Sequence, residues 1–106
     1  MNIQKMMQQA KEMQDKMAEM QEKLGEIEVE GQSGGGLVKV RMTCKGDVRA
    51  LDLDPSILVA SEKEVTEDLI KAAMNDAKAK ADQKLADETQ KMMGDLGLPA
   101  GMQLPF

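Results

Sequence analysis

The N-terminal segment constrains the fold most, because its apolar stripe is too narrow to be buried without a second helix. The apolar residues are spaced alternately by three and four positions: Ile3, Met6, Ala10, Met13, Met17, Met20 and Leu24. This heptad-like spacing predicts an amphipathic helix whose seam packs against another helix. Asn2 is a favourable N-cap and Gly25 a favourable residue just past a helix end, so we expect a helix between them, roughly 30 Å long.

The period of the apolar residues then changes to two, which predicts β-strands. Apolar and acidic residues alternate over 26–30, and the glycine-rich segment 31–36 predicts a hairpin loop. We expect a second strand over 37–45 and a third over 48–53, joined by a tight turn at 46–47. The three strands are expected to form an antiparallel meander.

A second long helix is predicted from a capping box at Ser61 and Glu64 to about Met93, where Gly94 stops it. Its stripe of small and apolar residues permits close approach of a neighbouring backbone: Leu69, Ala73, Ala77, Ala81 and Leu85. Beyond Lys78 the helix offers little apolar surface, so we expect this half to project from the core.

The order of these elements predicts an α+β fold. With 106 residues the chain has the length of one domain. We expect a single α-β-β-β-α domain over 1–93 and a tail rich in glycine and proline over 94–106. A three-stranded sheet and a narrow helical seam leave too few apolar surfaces to cover one another, so we expect a homodimer.

The side-chain inventory argues against an enzyme. The chain has no histidine and one cysteine, Cys44, which shares the predicted core face of the second strand with Val38, Val40 and Met42. A buried structural thiol is therefore expected, in a reduced, cytoplasmic protein. No secretion signal and no apolar run of about 20 residues is present, so we expect no membrane association.

Two patterns are similar to ligand-binding motifs but have simpler explanations. Asp52 and Asp54 lie near further acidic residues over 62–68, yet no histidine or calcium-loop spacing accompanies them, so ordinary surface acids are expected. The glycines over 34–36 lie between two strands, whereas a phosphate-binding P-loop leads into a helix. We expect no metal, no cofactor and no small-molecule substrate.

The charge distribution leaves two candidate cationic surfaces. The chain carries 14 basic and 19 acidic residues, a net charge of −5, but residues 33–50 are locally positive. One set of cations is predicted on the outer sheet face: Lys39, Arg41, Lys45 and Arg49. These could meet phosphates, or could be neutralised by the outward acids of the adjacent strand, Glu26, Glu28 and Glu30. The second set lies on the two helices: Lys5, Lys11, Lys16, Lys23, Lys78, Lys80, Lys84 and Lys91.

Several short motifs resemble those of the YbaB/EbfC family of bacterial nucleoid-associated proteins. They span the chain, at residues 6–10 (MMQQA), 34–40 (GGGLVKV), 72–77 (AAMNDA) and 97–101 (GLPAG). The resemblance implies a small non-enzymatic homodimer with paired projecting helical arms. It also implies binding to double-stranded DNA with little sequence preference, an influence on nucleoid organisation and gene expression, and contacts from the lysines of both helices.

A different class of function stays open from the residues alone. Methionine-rich helices can grip apolar segments of other proteins, so a helical-arm adaptor or holdase resembling prefoldin is the alternative hypothesis. The favoured hypothesis is DNA binding, by a protein located in the cytoplasm at the nucleoid.

Overall fold

The computed structural model describes residues 2–95, and within them the chain forms helix, three strands and helix. The elements are α1 (Ile3–Glu26), β1 (Glu28–Ser33), β2 (Val38–Thr43), β3 (Val48–Leu53) and α2 (Lys63–Asp95). Two short 3-10 turns, Pro55–Ile57 and Ala60–Glu62, connect β3 to α2. The predicted α+β class is confirmed; the predicted tail, from residue 96 onward, lies outside the described residues.

The first helix begins as predicted and ends later. The Asn2 Oδ1 atom accepts a hydrogen bond from the Lys5 amide at 3.2 Å, which caps the helix. The predicted end at Gly25 is wrong, because the helix continues to Glu26 and ends where Ile27 becomes extended, at φ −76° and ψ 125°. Glycine permits a left-handed helix end but does not impose one.

The sheet is the predicted meander, in the order β1-β2-β3, with both pairs antiparallel. β1 extends further than predicted, since Gly31 pairs with Val40 and only the glycines at 34–36 adopt positive φ in the hairpin. β2 is shorter than predicted because Thr43 begins the next turn. The Thr43 hydroxyl accepts hydrogen bonds from the amides of Lys45 and Asp47. This side chain is fully buried, although strict alternation along β2 would place it on the outer face.

The main core lies between the sheet and α2. Val38 and Val40 of β2 are fully buried with Ala73, Ala77 and Ala81 of α2. At Gly31, a Cβ atom would overlap the Ala73 carbonyl oxygen and the Ala77 amide and lie 2.6 Å from the Ala77 Cβ. The predicted stripe of small residues therefore brings the helix backbone against the strand backbone.

The boundaries of α2 differ from the prediction. Ser61 lies inside the 3-10 turn that precedes the helix, so it does not act as the predicted N-cap. The helix also continues through Gly94 to Asp95, so the predicted stop is wrong. The backbone of Gly94 stays helical, and nothing lies within 4 Å of the place where a Cβ would be.

The second half of α2 extends beyond the sheet, as predicted, but it does not stand free. It packs against the end of α1 in a second core, where Met20, Leu24, Cys44 and Met92 are buried. Cys44 is thus a core side chain, as predicted. Lys23 faces Glu88 while Met20 packs with Met92, so the two helices run antiparallel.

The two helices together form an elongated extension of the sheet. We use the name arm for α1 together with residues 78–95 of α2. The first half of α1 continues past the contact with α2, and Ile3 and Met6 are 69% and 55% exposed. The molecule measures 71 × 22 × 16 Å, and its Cα radius of gyration of 19.3 Å exceeds the ~12–13 Å of a compact domain of this length.

Replacing Gly31 by alanine should destabilise the fold by about 3 kcal/mol, because the added methyl group would push α2 away from β1. Urea unfolding followed by circular dichroism measures this change. Gly94→Ala is the matched control, since it adds the same methyl group to open space and improves helix propensity. Equal stability of the two variants would contradict the close contact at Gly31.

Candidate nucleic-acid interface

The eight helical lysines predicted to bind DNA all lie on the arm. Seven are exposed and one, Lys84, is half-buried. The structure does not distribute them evenly: three converge on one carboxylate, three have a single acidic neighbour each, and two lie near the free end of α1.

Three lysines meet at Glu88, at the contact between the two helices. The Lys23 Nζ atom of α1 lies 2.8 Å from Glu88 Oε2, while the Nζ atoms of Lys84 and Lys91 of α2 lie 3.5 and 3.6 Å from Oε1. We use the name lysine cluster for Lys23, Lys84 and Lys91 together with Glu88. Three cations share one anion here, so the cluster has a local charge of +2 in a chain that is acidic as a whole.

Glu88 is held in its ionised form by these neighbours. The hydrogen bond from Lys23 lowers the pKa of Glu88 from its ordinary value of 4.5 to about 2, and the charges of Lys23 and Lys91 act in the same direction. Burial opposes the shift, since the side chain is only 6% exposed. Glu88 is therefore ionised at neutral pH.

The remaining arm lysines differ in how far they are neutralised. Lys16 lies 3.8 Å from Glu19, Lys78 pairs with Asp82, and Lys80 lies 3.1 Å from Asp76. Lys80 also donates a hydrogen bond to the Glu30 carbonyl at 2.9 Å, which ties α2 to the edge strand β1. Within residues 2–95, neither Lys5 nor Lys11 has a carboxylate at ion-pair distance.

The four sheet cations do not form one continuous surface. Lys39 and Arg41 share the outer face of β2, but Lys45 lies in the turn beyond the strand. Arg49 sits in β3 at the register shift opposite Arg41 and Met42. Of the four cations predicted on the outer sheet face, only Lys39 and Arg41 lie within β2, and Lys45 lies beyond its end.

The outer sheet face also carries acidic partners, as the alternative interpretation expected. The Arg41 Nε atom lies 3.6 Å from Glu28 Oε1, Glu30 pairs with Arg41 in the strand register, and Asp52 pairs with Lys39. The third predicted partner, Glu26, is the last residue of α1 rather than part of the strand. This face is close to neutral.

One of the acidic residues considered as a metal site, Asp54, has a structural role. Asp54 caps the first 3-10 turn, because its Oδ1 atom accepts a hydrogen bond from the Ser56 amide at 2.9 Å, and this bond lowers the pKa of Asp54. No group of three potential metal ligands occurs among residues 2–95. In the same part of the chain, neither helix combines the length and apolar character that crossing a bilayer requires.

Sequence reasoning missed Glu88 as the centre of the cluster. The spacing of Lys84, Glu88 and Lys91 places the three side chains on one helix face, so the sequence does contain a signal for two of the pairs. Lys23 lies 65 residues away in the chain, and its contact depends on the packing of α1 against α2.

The fold and charge pattern define a small α+β protein with a lysine-bearing helical arm. Residues 1–96 match the YbaB/EbfC DNA-binding family, and the chain belongs to this family. It is 52% identical over 99 residues to a nucleoid-associated protein of Rhodopseudomonas palustris, covering 93% of each chain. It is 51% identical over 105 residues to one of Granulibacter bethesdensis, covering 99% of this chain and 98% of that one.

The fold also matches a solved structure. An uncharacterized protein from Helicobacter pylori aligns with a TM-score of 0.77 at 23% identity, over 89% of this chain and 99% of that one. The predicted family and the prediction of a non-enzymatic protein are confirmed by the family membership.

The low pKa of Glu88 predicts an acid-sensitive contact between the helices. Because the pKa is depressed in the folded state, the ion pairs contribute fully to stability above about pH 4.5 and lose that contribution as the pH falls toward 2. Urea midpoints of the wild type and Glu88→Gln, measured from pH 6 to pH 2.5, should therefore converge at low pH. A difference between the two proteins that does not vary with pH would contradict this assignment.

Proposed function

We propose that this chain binds double-stranded DNA through the arm and contributes to the organisation of the nucleoid. The observation that carries the proposal is the lysine cluster, where three ammonium groups surround one buried carboxylate on an exposed surface. Phosphate oxygens are the natural partners of such a group of lysines. Membership of a DNA-binding family and the similarity to nucleoid-associated proteins support this choice.

The chemistry of the arm favours contacts to the DNA backbone over base readout. Every cation of the arm is a lysine, whereas both arginines of the chain, Arg41 and Arg49, lie on the sheet. A lysine is a point charge without the planar fork with which arginine reads guanine. Binding with little sequence preference follows, and it is consistent with an effect on gene expression through nucleoid structure.

The negative net charge does not exclude this interface. The arm itself carries nine acidic residues beside its eight lysines, so the positive charge is local to the lysine cluster. At physiological salt the Debye length is about 8 Å, so carboxylates further away than this have little effect there. The local charge of the lysine cluster governs the encounter. We expect binding that is weaker than that of a strongly basic protein and that has a smaller salt slope, because fewer phosphates are neutralised.

The protein is proposed to act as a homodimer whose partner covers the apolar face at β3. α2 packs over β1 and β2, while Val48 and Leu51 of β3 remain 48% and 51% exposed. Leu58, Val59 and Val65, in the connection and at the start of α2, are also exposed. A second copy is the partner that would cover equivalent surfaces on both chains.

The proposed location is the nucleoid in the cytoplasm, and no small-molecule substrate is part of the proposal. The alternative of a holdase resembling prefoldin is not favoured, because the family match and the similar proteins point to DNA. The exposed apolar residues at the start of α1 do not by themselves support a chaperone function.

Replacing Lys5, Lys11 and Lys16 by glutamine should weaken binding to all duplex sequences to a similar extent, because these lysines are proposed to contact phosphates. The matched control replaces Lys39, Arg41 and Arg49, which removes the same charge from the nearly neutral sheet face. Fluorescence anisotropy at two salt concentrations, after the fold is checked by circular dichroism, measures affinity and salt slope. Each lost contact should reduce the slope by about 0.9. Loss of binding in the sheet variant alone would assign DNA to the sheet.

The dimer predicts a mass of twice 11.6 kDa in light scattering at micromolar concentration. Leu51→Glu should dissociate it, since a charge would enter the apolar face of β3. Ala50→Glu, on the other face of the same strand next to Arg41, should leave the mass unchanged. A folded wild-type monomer at all concentrations, or equal masses of the two variants, would rule out this interface.

A further inference from the structure

The lysine cluster contains a carboxylate that DNA binding does not require. An acid in the middle of a phosphate-binding surface repels the ligand, so Glu88 either weakens the interface or has a role that outweighs the repulsion. The geometry of its contacts distinguishes these two possibilities.

Glu88 lies beneath the ammonium groups rather than among them. Its side chain is 6% exposed, while the side chains of Lys23, Lys84 and Lys91 are 57%, 38% and 67% exposed. Each ammonium group has three N–H donors, and the contact with Glu88 uses one of them. The other donors remain for a ligand that approaches from solvent.

The carboxylate also joins lysines that would otherwise separate. Lys23 comes from α1 and the other two from α2, and three like charges repel one another in the absence of an anion. Glu88 uses both of its oxygens, one toward α1 and one toward α2. A shallow pocket of about 180 Å³ opens beside this contact, and its charged lining residues are Lys16, Lys23 and Lys91 with Glu19 and Glu88.

We propose that Glu88 is a positioning residue, which gathers Lys23, Lys84 and Lys91 into one site for a phosphate group of the DNA backbone. This inference rests on the proposed function, which it deepens by naming the site and the residue that organises it. Glu88 does not touch the phosphate; it fixes the position of the groups that do.

The proposal predicts the sign of a charge effect. Glu88→Gln raises the charge of the cluster from +2 to +3, so simple electrostatics predicts tighter binding. Positioning predicts weaker binding, because the three ammonium groups are no longer held together. Glu12→Gln is the matched control, since it removes the same negative charge from an exposed position of α1.

Fluorescence anisotropy with a mixed-sequence duplex at two salt concentrations measures this effect. We expect Glu88→Gln to bind several-fold more weakly than the wild type, with a salt slope smaller by about 0.9, and Glu12→Gln to bind at least as well as the wild type. Equal or tighter binding by Glu88→Gln would overturn the proposal while leaving the proposed function intact. If Glu88→Gln does not fold, Glu88→Asp takes its place. This variant keeps the negative charge but shortens the side chain by one methylene group. Undiminished affinity for the duplex would overturn the proposal.

A second measurement separates this proposal from the proposed function. Inorganic pyrophosphate, followed through the NMR signals of the lysine ammonium groups, should shift Lys23, Lys84 and Lys91 in the wild type and in Glu12→Gln but not in Glu88→Gln. Such shifts without DNA binding by the wild type would contradict the proposed function and support the anion site. If pyrophosphate shifts none of the three lysine ammonium signals in the wild type, the proposed site is wrong.

Discussion

The contact between α2 and the sheet at Gly31 determines how the rest of the molecule is arranged. With no side chain at Gly31 and only methyl groups at Ala73 and Ala77, the helix backbone rests on the backbone of β1. This fixes α2 across β1 and β2, so Val48 and Leu51 of β3 stay uncovered. A helix of 33 residues is about 50 Å long and continues past the sheet, where α1 meets it. The proposed partner surface and the arm both follow from this one contact.

The arm resolves the conflict between an acidic chain and a DNA-binding family. Among the described residues, six cations outside the lysine cluster each lie at ion-pair distance from a single carboxylate: Lys16, Arg41, Lys63, Lys71, Lys78 and Lys80. At the contact between the helices three lysines share one carboxylate, Glu88, so the positive charges outnumber the negative ones there. An interface of this kind depends on where charges are placed rather than on how many there are. The packing that joins α1 to α2 is thus also what creates the positive surface.

The sequence was sufficient for the architecture because the relevant signals are local. The spacing of apolar residues predicted both helices and the meander, and alternation along β2 correctly placed Cys44 in the core. The ends of the two helices were predicted too early, at Gly25 and Gly94, because glycine is compatible with a helix as well as with its end. The centre of the candidate site was missed for another reason: the partners Lys23 and Glu88 meet only after the helices pack.

The most direct test of the account is an NMR map of the surface that a mixed-sequence duplex contacts at low salt. If the arm binds DNA, the largest backbone and lysine shifts will fall on α1 and on the second half of α2, with a maximum around Lys23, Lys84 and Lys91. Shifts concentrated on the outer face of the sheet, around Lys39 and Arg41, with the arm unchanged, would contradict it.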